Sequence, residues 1–217
     1  MTSHITHIVS LDLGQTSDPS ALAVMERTGP APCAYDCRHL FRWHLGTGYP
    51  QIVEDTMALL TRPGLVRPML VVDRTGVGRP VVDMFRQHSG LPCAFRPVTI
   101  TAGSAWGWNP DRSLNVPKKD LVGTLQVLLG HRRLRIASSL PDAPVLLREL
   151  QNFRVKITAA ANEVFGAWRE GQHDDLVLAV ALAAWVGEHA FSGPVLPAPE
   201  AARSMMDRAG DEGVFAG

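Results

Sequence analysis

His173-Asp174-Asp175 runs directly into Leu176-Val177-Leu178-Ala179-Val180-Ala181-Leu182-Ala183-Ala184-Trp185-Val186-Gly187, twelve residues without a charge. Such a run is too short to span a bilayer, which takes about 20 apolar residues, but long enough for a buried helix. Aspartate is a good helix N-cap, and the positive end of the helix dipole tolerates acids. One Asp at the head of a core helix therefore needs no special reading. Two acids and an imidazole aimed into a buried helix are costlier, and they direct attention to carboxylates elsewhere in the chain.

The 217 residues suit one domain with a real core: 46% are hydrophobic and 19% charged. The 21 basic and 21 acidic residues cancel, so no global field favours a DNA-binding module that works by charge alone. An enzyme whose acids are neutralised by metal remains compatible with that balance. Met1 to His7 has neither a basic n-region nor an apolar h-region, and no run reaches transmembrane length. The expectation is a soluble, cytoplasmic protein. Cys33, Cys37 and Cys93 form no disulfide framework. Cys33 and Cys37 with His39 and His44 do not follow a standard zinc spacing, so reduced structural thiols are expected.

Working back from the acidic helix, His7–Leu13, Ala21–Glu26 and Arg38–Leu45 read as an antiparallel three-strand meander. Pro50–Leu60 reads as an amphipathic helix and Met69–Val72 as a buried strand ending at Asp73. Arg74-Thr75-Gly76-Val77-Gly78 turns into a helix reaching about His88, and Cys93–Val98 is a further strand. Thr101 to Pro117, rich in Gly, Ser, Asn and Pro, is expected as a long loop, with Trp106 and Trp108 pinning it to the body in preference to forming a flap that touches DNA. Lys118–Leu129 is a helix, His131–Ile136 a basic turn into a short strand, and Ala143–Leu150 a helix. Phe153–Thr158 and Glu163–Trp168 suggest a hairpin. The expected fold class is α/β: a mixed central sheet, the meander followed by parallel strands, flanked by helices. Residues 1–191 form the domain and 192–217 a Pro/Ala/Gly-rich mobile tail.

Two apolar strands end in an acid, Ser10-Leu11-Asp12-Leu13-Gly14 and Val71-Val72-Asp73-Arg74-Thr75-Gly76. The carboxyl ends of strands form the edge where α/β sheets bind ligands. If those strands are neighbours and the last helix packs on them, Asp12, Asp73 and Asp174 or Asp175 converge. Three such acids without a nearby Lys or Arg would repel one another, and hard divalent cations such as Mg2+ or Mn2+ resolve this. A pair of ions about 3.5–4 Å apart can activate a water and stabilise the leaving oxygen of a phosphodiester. Taken singly, Asp12 reads as a turn former and Asp73 as a helix cap; their joint placement favours metal. Asp18, before Pro19, reads as a turn residue with a supporting role near Asp12 open to it.

The order Leu-Asp-Leu-Gly, Asp-Pro-Ser-Ala-Leu-Ala-Val, Val-Val-Asp-Arg-Thr-Gly-Val-Gly, Val-Pro-Lys-Lys-Asp-Leu-Val and His-Asp-Asp-Leu-Val-Leu-Ala-Val-Ala-Leu-Ala resembles the nuclease domain of phage terminase large subunits. That domain belongs to the ribonuclease H-like (RuvC-type) superfamily, and the match covers roughly residues 7–190. The resemblance implies an RNase H-like fold and an endonuclease that cuts double-stranded DNA with two Mg2+ or Mn2+ ions during viral genome packaging. It places Asp12 and Asp73 as strand acids and Asp174 and Asp175 as the helix acids, with the RuvC-like Asp-Ala-Leu pattern favouring Asp174. It also implies a phage or prophage origin and partners among the packaging ATPase, the small terminase subunit and the portal. The family's ATPase would precede this domain, yet no G-x-x-x-x-G-K-[ST] occurs here. The chain is thus an excised domain or a free-standing relative.

His173 is a candidate to assist a water or orient a neighbouring acid. Lys118 and Lys119, near the expected site edge, and the Arg132, Arg133, Arg135 cluster are candidate phosphate contacts, against the alternative of solvated charged faces. Three rivals stand beside the main reading, one of them a non-catalytic scaffold or DNA-binding module that keeps the fold, against which intact acids at all three positions speak. A RuvC-like junction resolvase would differ in substrate shape. An actin- or sugar-kinase-like phosphotransferase is suggested by Asp12-Leu13-Gly14-Gln15-Thr16, but such enzymes need two such domains.

Overall fold

The computed structural model describes residues 6–14, 18–88, 90–160 and 174–191, with the side chains of 154–160 outside that description. Thirteen elements besides a terminal turn follow in the order β1 (Thr6–Asp12), β2 (Ala21–Thr28), β3 (Ala34–Arg42), α1 (Tyr49–Leu60), β4 (Met69–Asp73), α2 (Gly78–Gln87), β5 (Ala94–Thr101), β6 (Gly107–Trp108), β7 (Leu114–Pro117), α3 (Lys118–Gly130), β8 (Leu134–Ile136), α4 (Ala143–Ala160) and α5 (Asp175–Trp185). A π-helical turn, Val186–Ala190, extends α5.

One eight-stranded sheet runs β6-β7-β5-β4-β1-β2-β3-β8. The β1–β2–β3 meander is antiparallel, while β4, β5 and β7 continue parallel to β1 on its other side. This is the expected mixed sheet. β1 is buried at every position because strands flank it on both sides and helices cover both faces. Alternation along the strands sorts the core into two layers. Val9, Leu11, Leu70 and Val72 meet α1 and α2 through Ile52, Val53, Met57, Val81 and Phe85. Ile8, Met69 and Val71 face α3, α4 and α5 on the opposite side.

The same alternation decides where the strand acids point. Asp12 shares the parity of Ile8 and Ser10, and Asp73 that of Met69 and Val71, so both belong to the α5 face. Ser10 Oγ confirms the direction by donating to the Ala179 carbonyl of α5 at 2.6 Å. A register slip of one residue would turn both acids toward α1 and α2. All of α5 is buried, since it lies on β1 and β2 with α3 alongside. Its sequence after Asp175, free of polar residues, therefore reflects contact on every side.

Three sequence expectations need correction. The third strand begins earlier than Arg38, at Ala34, and ends at Arg42. The stretch before Pro117 contains two strands, β6 and β7, and β7 is an integral member of the sheet beside β5. Phe153–Thr158 is the continuation of helix α4 and not one arm of a hairpin. The other expected arm, Glu163–Trp168, and the tail at 192–217 lie outside the described residues. Among the described residues no helix is long and apolar enough to cross a membrane.

Candidate active site

Strand register assembles the site. Asp12 pairs with Ala21 of β2, and Ala21 with Arg42 of β3, which sets Arg42 two strands from Asp12 in the same row. On the other side Leu11 pairs with Val72, so Asp73 leaves the sheet beside Asp12. The N-terminus of α5 delivers Asp174 and Asp175 to this edge, and Pro117 at the end of β7 delivers Lys118.

Asp12 and Asp73 are each 8% exposed and Asp175 is 3% exposed. Burial, followed by repulsion from Asp73, Asp174 and Asp175, pushes the Asp12 carboxyl well above its ordinary range, with Lys118 acting in the opposite direction. Burial also raises Asp73, against hydrogen bonds from Thr75 that hold part of the shift back. Asp73 Oδ1 accepts from the Thr75 main-chain N–H at 2.8 Å and from Thr75 Oγ1 at 2.6 Å. That local turn leaves Oδ1 fixed and is braced in turn by Ile100, whose N–H donates to Thr75 Oγ1 at 2.9 Å. Gly78 begins α2 so close to Asp73 that an added Cβ would stand 2.0 Å from the Asp73 carbonyl oxygen. Gly14 is similarly tight, with its absent Cβ 1.9 Å from the Asp18 carbonyl.

Basic neighbours are closer than expected. Lys118 Nζ lies 3.6 Å from Asp174 Oδ2, and its charge also reaches Asp12 and Asp73. Arg42 Nε lies 3.3 Å from Asp175 Oδ2, and Arg42 Nη2 donates to Glu149 Oε1 at 2.7 Å. Glu149, on α4 and 6% exposed, is a site residue that sequence reasoning missed. Its second oxygen accepts the Val177 N–H of α5 at 3.1 Å. Burial raises the Glu149 carboxyl, with the Val177 N–H and Arg42 offsetting. The signal in the sequence was a lone acid in a helix, which is ordinary on a solvated face.

The cap expected from an aspartate at the head of α5 does not form: Asp174 stands at the N-cap position without a side-chain cap bond. Among the described residues no three carboxylates, imidazoles or thiols converge tightly enough to cage an ion as they stand. The donor set nevertheless fits hard divalent cations. Asp12, Asp73, Asp174 and Asp175 offer oxygen only, and at Asp12 repulsion from the other three adds to the effect of burial. His173 lies outside the described residues. Asp18 is exposed, and its main-chain carbonyl stands against Gly14.

The remaining candidates separate by position. Lys119 is exposed beside Lys118 and lines a cavity of about 380 Å3 with Trp106, Gly123, Trp185 and His189; none of the four aspartates borders it. Trp106 stands edge-on to Trp185 at 5.4 Å, and the Arg96 guanidinium lies over Trp108 at 4.9 Å, so both tryptophans pin their loop. Arg133 donates to Glu188 and to the Cys33 carbonyl, and Arg135 pairs with Asp36. Asp36 precedes Arg42 by six residues on β3, roughly 20 Å at about 3.3 Å per residue. The basic cluster therefore sits toward the other end of the sheet from the acids. Arg132 occupies the turn before β8 with φ 56°. Cys33, Cys37 and Cys93 are free and buried, and burial pushes the Cys37 and Cys93 thiols up to about 12.

No family model matches the chain. In sequence it is similar to the terminase large subunits of Thermus phage G20c and Thermus virus P23-45, each 26% identical over 178 residues. That alignment takes in 82% of this chain but 31% of either relative, so the chain spans about a third of their length. In fold it is similar to the large terminase nuclease of thermophilic phage G20c, solved with bound magnesium, at TM-score 0.54 and 22% identity over 83% of this chain and 81% of that one. The human cytomegalovirus terminase nuclease domain, manganese-soaked, matches at TM-score 0.54 and 14% identity over 86% of this chain and 85% of that one. The fold is that of terminase nuclease domains, and the resemblance read from the motifs is borne out.

Proposed function

We propose that the chain is a metal-dependent endonuclease of the terminase type that hydrolyses phosphodiester bonds of double-stranded DNA during viral genome packaging. One observation carries the reading: strand register and parity bring Asp12 and Asp73 out on the face of the sheet where α5 presents Asp174 and Asp175. The likeness to nuclease domains solved with magnesium or manganese supports it.

Asp12, Asp73 and Asp174 would hold divalent ions, Mg2+ or Mn2+, with Asp175 adjoining. A pair of such ions supplies Lewis acidity, activating a water and stabilising the leaving oxygen of the phosphodiester. The chain's own residues set the stage for this. The Thr75 turn keeps the Asp73 carboxylate from rotating away. Burial of β1 and α5 withholds bulk water, so charges at the cluster act in a medium of low polarity. Lys118 brings an ammonium to the rim, where it can meet a phosphate oxygen, and Lys119 extends that rim outward.

The setting consistent with this activity is the cytoplasm of a phage-infected or prophage-bearing cell, with a packaging ATPase, a small terminase subunit or a portal as partners. The test is plasmid cleavage with Mg2+ or Mn2+ by wild type, Asp73→Ala and Asp174→Ala. Wild type should cut and both variants should fall by at least about 100-fold. Metal-dependent cutting that survives both substitutions would overturn the site, and ATP hydrolysis without cutting would overturn the class. A four-way junction beside the linear duplex separates terminase-type from resolvase-type preference.

A further inference from the structure

Val177 is the third residue of α5, and its N–H is one of the donors that an N-cap side chain ordinarily satisfies. Asp174 stands in the cap position and is of a residue type that caps well, yet its side chain makes no cap bond. Glu149 takes the role from another helix: Oε2 accepts the Val177 N–H at 3.1 Å, and Oε1 accepts from Arg42 Nη2 at 2.7 Å. Both oxygens of Glu149 are thus engaged in holding the start of α5 and Arg42. Arg42, held by Glu149, sits 3.3 Å from Asp175 Oδ2 and draws that acid toward β3. Asp174 is left with its carboxylate beside Lys118, on the side of Asp12 and Asp73.

We infer that Glu149 is a positioning residue that caps α5 in place of Asp174 and so keeps the Asp174 carboxylate available to the metal. The inference rests on the metal-site reading above and deepens it. It also assigns the two helix acids different work. Asp174 faces the ions, and Asp175 anchors the helix start to Arg42. Without Glu149, Asp174, which stands at the N-cap, is placed to accept the Val177 N–H and so to turn back onto its own helix, away from the cluster.

The test is Mn2+ binding by calorimetry in the absence of DNA, on wild type, Asp12→Asn, Glu149→Ala, Glu149→Gln, Asp174→Asn and the Glu149→Ala/Asp174→Asn pair. Glu149→Ala should weaken Mn2+ binding by roughly 10–100-fold, the usual range for partners that orient a ligand. In the Asp174→Asn background the same substitution should change affinity by less than about threefold, because its effect passes through Asp174. Glu149→Gln, which retains an acceptor for the Val177 N–H, should stay within about threefold of wild type. Additive losses in the double variant would overturn the inference, as would a Gln variant as weak as the Ala variant. Should Glu149→Ala not fold, the Gln variant decides alone: a loss beyond about tenfold overturns the inference. Wild type that binds no Mn2+, or Asp12→Asn that binds it as tightly, would instead overturn the metal site itself.

Discussion

Ionising Asp12 is harder in the folded chain than in the unfolded one, because burial and the neighbouring aspartates oppose it. The sign of the consequence follows. Below the ordinary carboxyl value of 3.8 the acid is protonated in both states and contributes nothing. As pH rises above that value the unfolded chain ionises first, so the folded state loses stability until Asp12 ionises there too. Asp73 behaves in the same direction. Asp12→Asn should therefore raise the metal-free melting temperature at neutral pH, with the gain vanishing toward about pH 4, as calorimetry in chelator would record. With saturating Mg2+ the order reverses, since wild type alone gains about 2.7 kcal/mol at one hundred times Kd. The strand acids were legible in the sequence because each closes an apolar run, a local pattern. Arg42 and Glu149 were not, because they are 107 residues apart and meet only through the packing of α4 and β3 at the head of α5.

At the scale of the elements, what holds Asp73 is the tight junction of β4 with α2. Gly78→Ala drives a Cβ into the Asp73 carbonyl at 2.0 Å, where the obstacle is backbone and cannot swing aside. A cost of about 1–3 kcal/mol is expected, with cleavage falling alongside stability in urea melts. Gly123 in α3 is the opposite case: nothing lies within 4 Å of its missing Cβ. Gly123→Ala should stabilise by about 0.4–1 kcal/mol through lost freedom in the unfolded chain. The meander, α1, α2 and α5 were readable from periodicity and punctuation. β7 was not, because its four residues Leu-Asn-Val-Pro follow a stretch dense in turn formers, though Leu114 and Val116 alternate inward correctly. α4 was cut short because Val155, Ile157 and Thr158 are β-branched. That preference is a weak one which a helix already begun at Ala143 can override.

For the molecule as a whole, the balanced charge of 21 basic and 21 acidic residues gives DNA little reason to bind except at local basic groups. Arg135 is paired to Asp36 away from the acids, whereas Lys119 is exposed next to Lys118. Arg135→Ala should leave the salt dependence of duplex binding unchanged, and Lys119→Ala should reduce the log–log slope by about 1 between roughly 50 and 200 mM salt, read by fluorescence anisotropy. The candidate site acids stand on β1 and β4, at the middle of the sheet, and at the N-terminus of α5, a helix buried on every side. Amide hydrogen exchange gives this placement its consequence. Protons on β1 and α5 should exchange only when the entire chain opens, while those of edge strands β6 and β8 exchange through local fraying. Bound metal should then slow the β1, β4 and α5 amides together and by one common factor, because the proposed metal site and the last core to come apart share these elements.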